Sequence, residues 1–153
     1  MSALFALAFV VVMCGLGIYV MEKDSGNYWE YEGAWDFYRM PLEEPYELVM
    51  IDTMDSASIN KWKEGSTIVG DIVEYEKRGA LIAGHCQHTS YSFYTKDKPW
   101  FVFDCATGQV DTYASKEAFE DACTQKGFSL PLDMKSIREN WNAYWGNPNR
   151  RRK

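Results

Sequence analysis

The chain opens on an unbroken apolar run from Ala3 to Val20 that stops at Glu22-Lys23-Asp24. A helix needs roughly 20 apolar residues to cross a bilayer core of about 30 Å, so this run predicts a transmembrane anchor over residues 1–21. Beyond it the apolar segments shorten and alternate with polar positions, as in strands. Tyr46–Asp52, Thr67–Glu76, Ala80–Gln87, Tyr91–Tyr94, Trp100–Cys105 and Gln109–Tyr113 are the predicted strands. Turn chemistry at Lys77-Arg78-Gly79 and Thr107-Gly108 punctuates them. Between the first two, Asp55–Glu64 reads as a short helix, with Asp55 or Ser56 as cap, Ile59 and Trp62 inward and Gly65 as stop. Ser115 then caps a helix whose inward stripe is Ala118, Phe119, Ala122 and Cys123, ended by Gly127. A last helix starts near Asp133 and presents Ile137, Trp141, Tyr144 and Trp145 on one face before Gly146. Strands this close in sequence, joined by short turns, pair antiparallel. The expected fold class is α+β: a single N-terminal transmembrane helix, then an antiparallel meander with the C-terminal helices packed on one face of the sheet.

The pattern divides the chain into an anchor (1–21), an acidic aromatic juxtamembrane segment (22–45), an α+β domain (46–146) and a basic tail (147–153). In the juxtamembrane segment Tyr28, Trp29 and Tyr31 suit a headgroup belt. Trp35, Phe37 and Tyr38 read as the first packing contacts of the domain, and Pro41 and Pro45 bracket an extended stretch. A cleaved signal would want a basic n-region, and a lipoprotein signal would want a small residue where Met13 precedes Cys14. An uncleaved anchor is therefore expected. Lys23 and Arg39 are the basic residues near the span, too few for the positive-inside rule to orient it. Short N-terminal anchors of this kind export the C-terminal part of the chain, so the expected location is the inner membrane, single-pass, with the domain in the periplasm. The tail Arg150-Arg151-Arg152-Lys153 argues the other way, since it suits anionic lipid on the cytoplasmic face.

Charge and cysteines add two constraints. The formal net charge is −6, which disfavours general binding to nucleic acid phosphates and favours encounter with a basic partner. Cys14 lies in the apolar run, while Cys86, Cys105 and Cys123 lie beyond it. An oxidising compartment would favour one bridge among these three, and Cys105–Cys123 is the expected pair. Free buried thiols are the alternative.

Candidate chemistry centres on Gly84-His85-Cys86-Gln87-His88, which holds both histidines of the chain. On a strand Cys86 and His88 share a face, so His85, Cys86 and His88 are candidate metal residues, with Asp104 or Cys105 as a further ligand. A Cys86–His88 nucleophile–base pair oriented by Asp104 is the catalytic version. Ordinary strand-end residues are the plainer reading. Asp52, Asp55, Ser56 and Ser58 could hold a cation or substrate, but helix capping accounts for them. Glu30, Glu32, Glu43 and Glu44 read as solvated charge. The sequence contains no nucleophile elbow, phosphate-binding loop, dinucleotide fingerprint or zinc-protease motif, and it implies no cofactor.

Four segments occur in a familiar order: Gly70–Tyr75, Gly79–Gly84, Trp100–Asp104 with Gly108, and Ser115–Phe119. This resembles small bacterial exported or lipoprotein-like domains, and it is similar in build to immunity proteins that neutralise secreted antibacterial toxins. The resemblance covers residues 68–123 and carries no functional residue with it. With the anchor, the acidic charge and the lack of a catalytic motif, the expected role is a membrane-anchored protein-binding module, most concretely an immunity or inhibitor protein whose partner is a secreted toxin. A single-pass accessory subunit of a membrane complex is the alternative, with Gly15 and Gly17 permitting close helix approach. A small metal- or Cys/His-dependent enzyme is the third reading.

Overall fold

The computed structural model describes residues 33–34, 37–87 and 97–146. The anchor 1–21, most of the juxtamembrane segment, His88, the predicted strand Tyr91–Tyr94 and the basic tail lie outside the described residues. Among those described, no helix is long and apolar enough to cross a membrane.

Nine strands among the described residues make one antiparallel sheet. In chain order they are β1 (Gly33–Ala34), β2 (Phe37–Glu43), β3 (Tyr46–Ile51), β4 (Ala57–Lys61), β5 (Thr67–Arg78), β6 (Leu81–Cys86), β7 (Trp100–Asp104), β8 (Gln109–Tyr113) and β9 (Lys135–Ser136). The first eight are neighbours in sequence order, and β9 pairs with β5. The described helices are α1 (Lys116–Gln125) and α2 (Ile137–Trp145). The expected α+β meander with two C-terminal helices is what the chain forms.

β5 gives the sheet its curvature. Its 12 residues pair with β4 at the start, with β9 later on the same edge, and with β6 on the other edge. Register slips at Ala57/Ile59, Ile59/Asn60 and Ile72/Glu74 insert extra β5 residues, and Asp71 adopts φ 56°. Such bulges bend a strand and increase its twist. They also explain why the buried β5 positions Val69, Ile72 and Tyr75 fall three apart instead of two.

The sheet bends far enough for strands distant in the pairing order to touch. The Tyr46 ring of β3 meets Phe103 of β7 edge-on at 4.9 Å. Tyr75 Oη donates to Met40 Sδ at 3.8 Å, and Lys77 Nζ pairs with Glu43 Oε1 at 3.0 Å, both from β5 to β2. The concave side encloses the main core, built from residues such as Met40, Leu48, Ile59, Ile72, Phe101 and Phe103. Two glycines make room for it. A Cβ on Gly84 would lie 2.6 Å from the ring of its cross-strand partner Phe101, and one on Gly108 would lie 2.5 Å from Tyr46 Oη.

The helices cover opposite faces, which corrects the expectation of one shared face. Along β7, Phe101 and Phe103 enter the main core, while Val102 between them joins Ala83, Phe119, Cys123 and Phe128 beneath α1. Successive strand residues point to opposite sides, so α1 lies on the convex face over β6–β8. By contrast, α2 contributes Ile137 to the concave core. It bridges β2 and β5: Trp145 Nε1 donates to the Arg39 carbonyl at 2.9 Å, and Asn140 Nδ2 to the Tyr75 carbonyl at 3.2 Å. Ser115 caps α1 as expected, whereas α2 starts at Ser136 in a reciprocal capping box with Glu139.

Two further expectations need correction. Asp55–Glu64 is not a helix. Ala57 and Ile59 point into the core as alternate residues of β4, and the chain then turns at Trp62–Glu64 with Lys63 at φ 66° and Gly65 at φ 67°. The sheet also begins before residue 46, because β2 pairs with β3 over most of its length. Pro41 fits in β2 where β1, which reaches only Phe37 and Tyr38, takes no hydrogen bond from it.

Candidate functional site

The residues singled out for metal or thiol chemistry are kept apart by the sheet. Cys86 points into the concave core at the Pro99 end of β6, while His85 points to the convex face. His88 lies outside the described residues. Asp104 pairs with Leu81 at the other end of the β6–β7 ladder, with Cys105 next to it. At about 3.4 Å per residue, this places both candidate third ligands well over 10 Å along the strands from Cys86. Asp104 has a local task instead, accepting from the Ala106 amide at 2.8 Å in the β7–β8 turn.

The predicted Cys105–Cys123 bridge does not form, and Cys86, Cys105 and Cys123 are buried. The reason is again alternation. Cys105 belongs to the concave core and Cys123 to the convex cluster under α1, so the sheet stands between them. Burial pushes the Cys105 thiol up to about 12 and the Cys123 thiol up to about 11, which keeps both protonated and unreactive at neutral pH.

His85 sits where α1 ends its coverage. Its ring stacks on Trp100 at 4.2 Å, Trp100 stacks on Phe119 at 5.1 Å, and His85 Nδ1 lies 3.6 Å from Glu74 Oε1. This stack extends the convex cluster to its solvent margin. Asp55 lies in an exposed turn, where Thr53 Oγ1 donates to it at 2.8 Å and Arg138 Nη2 approaches at 3.5 Å. Those two contacts, Thr53 first, hold its carboxyl below the ordinary carboxylate range.

The other half of the convex face, over β2–β5, has a different make-up. Arg39 and Glu47, on neighbouring strands, form an ion pair that is almost wholly buried, at 0% and 5% exposure. The Trp62 ring lies over the Arg39 guanidinium at 3.6 Å. Burial raises the Glu47 pKa, against the lowering effect of its hydrogen bond and charge contact with Arg39. Beside this pair opens a cleft of about 180 Å³ lined by Val49, Ile51, Ser56, Ala57, Ser58, Asn60 and Thr67. Register joins it to the ion pair: Asn60 is the cross-strand partner of Glu47 on one side and of Thr67 on the other. Asn60 Oδ1 is buried with no hydrogen-bond partner. Ile51 at the rim is 63% exposed, and Asp52 and Asp55 are exposed on the turn that follows it.

Of the residues singled out in the sequence, Ser56 and Ser58 line this cleft, with Asp52 and Asp55 on the adjoining turn. Val49, Ile51, Asn60 and Thr67 went unnoticed. The signal for them was the run Leu48-Val49-Met50-Ile51, which is apolar at every position although a strand with one solvated face alternates. Comparisons of this chain with protein-family models, with curated proteins and with solved structures all return no match.

Proposed function

We propose that this chain is a membrane-anchored, extracytoplasmic protein-binding module, in its most concrete form an immunity or inhibitor protein that neutralises a secreted antibacterial toxin. The anchor is the apolar run Ala3–Val20, and the domain it holds lies on the periplasmic side of the inner membrane. The observation that carries the reading is the convex face over β3–β5. Among the described residues no helix covers it, and it presents exposed Ile51 beside a small cleft with acids on the adjoining turn. An exposed apolar residue rimmed by polar groups is a common feature of protein contact sites. Small-molecule sites are generally larger, about 300–1,000 Å³, than the cleft of about 180 Å³ seen here. The burial and separation of Cys86, Cys105 and Cys123 give a thiol or metal enzyme no support.

A mild-detergent pull-down of the tagged full-length protein from its native membranes tests this, with mass spectrometry of what is retained. One secreted, toxin-like protein, lost when Ile51 is replaced by Asp, is the expected result. Several membrane subunits in fixed ratio, retained by Ile51→Asp and lost when the anchor is exchanged, would replace it with the accessory-subunit reading. Gly15 and Gly17 in the apolar run are the feature that favours that second reading.

A further inference from the structure

We propose that the cleft between β3, β4 and β5 receives a single basic side chain, lysine or arginine, from the partner protein. Its aliphatic stem would lie along Val49 and Ile51, and its donor head would reach Asn60 and the hydroxyls around it. This deepens the protein-binding reading and rests on it.

Four observations select that occupant. The cleft of about 180 Å³ is too small for a typical cofactor or drug-sized substrate, which leaves something the size of one side chain. Its lining side chains are divided between apolar groups (Val49, Ile51) and hydroxyl or amide groups (Ser56, Ser58, Asn60, Thr67). Lysine and arginine have that same division, an apolar stem and a polar tip. Asn60 Oδ1 is buried without a partner, and a native structure rarely leaves such an acceptor unexplained. Rotating the amide toward an entering donor breaks no existing bond at that oxygen and satisfies it. Finally, none of the lining residues is charged, and the chain as a whole carries −6, which draws in a basic group and repels a second copy of the chain.

The neighbouring charges are compatible with this choice. Glu47, across from Asn60, is balanced by Arg39. Lys61 is held by Glu64 at 3.3 Å, and Arg138 faces Asp55 at 3.5 Å. Asp52 on the turn after Ile51 is exposed and adds negative charge on the approach.

The test is a titration of isotopically labelled full-length protein in mild detergent, followed by amide NMR. The probes are N-acetyl-lysine amide and N-acetyl-arginine amide, with the leucine and glutamate amides as controls. The basic probes are expected to shift the Val49, Ile51, Ser58, Asn60 and Thr67 amides saturably, several-fold more than either control. Asn60→Leu should weaken them roughly tenfold, the scale of one hydrogen bond to a charged group. Ser58→Ala, which changes one exposed-face hydroxyl, should weaken them less and keeps the test valid if Asn60→Leu misfolds. Equal shifts from the leucine or glutamate amide, or no localised shift at all, would overturn the proposal. The two readings separate in the pull-down: a protein partner held as tightly by Asn60→Leu as by the natural chain sinks the cleft and leaves the binding module standing. Basic probes that saturate the cleft while no protein is captured would do the reverse.

Discussion

The convex face of the sheet is finished in two ways. Over β6–β8, Ala83 and Val102 are sealed beneath Phe119, Cys123 and Phe128, and the Trp100–His85 stack closes the margin. Over β2–β5 an ion pair lies under an indole, and a cleft opens beside a protruding isoleucine. The first region is apolar and gains stability from area removed from water. The second contains polar groups that cost stability unless each is satisfied. Under the proposed function the helix-covered half supports the domain, while the rim and cleft around Ile51 meet a partner.

The sharpest way to break this contrast is to empty the covered half. Phe119→Ala should cost about 3–5 kcal/mol in urea unfolding, because the ring is fully buried and stacked on Trp100. Partner capture by the folded fraction should stay unchanged. A loss of capture at equal folded concentration would show that the covered half takes part in binding.

Glu47→Ala comes next, since it leaves the Arg39 guanidinium buried without its carboxylate. A loss of about 3 kcal/mol or more is expected. Replacing both residues with Met and Leu should recover most of it, because an apolar pair of similar volume escapes the desolvation cost. Failure of the double variant to recover would mean that the pair also orders the strands it joins.

On stability the exposed rim should be nearly silent. Ile51→Asp is expected to change it by no more than about 0.5 kcal/mol, while partner affinity drops at least about tenfold. A large stability loss with unaltered capture would reverse the roles assigned to the two halves.

The smallest effect concerns pH. Asp111 on β8 is held below its ordinary pKa by the Gln109 side-chain hydrogen bond and by Lys126 at the end of α1, 3.1 Å away. A carboxylate with a depressed folded pKa adds stability above the unfolded value and loses it as pH falls through the folded one. Asp111→Asn should therefore flatten the acid limb of a thermal-stability profile below about pH 4. Both side chains are about one-third exposed, at 32% and 34%, so the change should be a few tenths of a kcal/mol at most.

Much of the covered half was legible in the sequence. Ser115, the Phe119–Cys123 stripe and Gly127 each have a local cause, and the turn expected at Lys77-Arg78-Gly79 forms one to two residues later, at Gly79 and Ala80. Periodicity gave α2 its inward stripe, but a stripe does not say which face of a sheet it will meet. That omission misplaced α2, and the same gap for α1 produced the Cys105–Cys123 expectation. β4 was misread because Ile59 and Trp62 are three apart behind an Asp/Ser pair, the spacing of a capped helix. Pairing with β3 and β5 on either side decides for the strand, and the local spacing of Ile59 and Trp62 carries no sign of those pairings. The candidate site was least visible. It is an assembly of alternate residues from three strands, and the bulges that align them follow no sequence period.

β5 joins the two halves of the sheet, pairing with β4 on one edge and β6 on the other, and this sets how the chain can be divided. A cut at the exposed Gly79 turn separates Met40, Ile59 and Tyr75 from Phe101, Phe103 and Ile137, all members of one core. Neither fragment keeps a closed interior, yet each retains most of the surface that recognises the other. The turn is thus a natural split site for fragment complementation, with reassembly across the β5–β6 ladder as the reporting event.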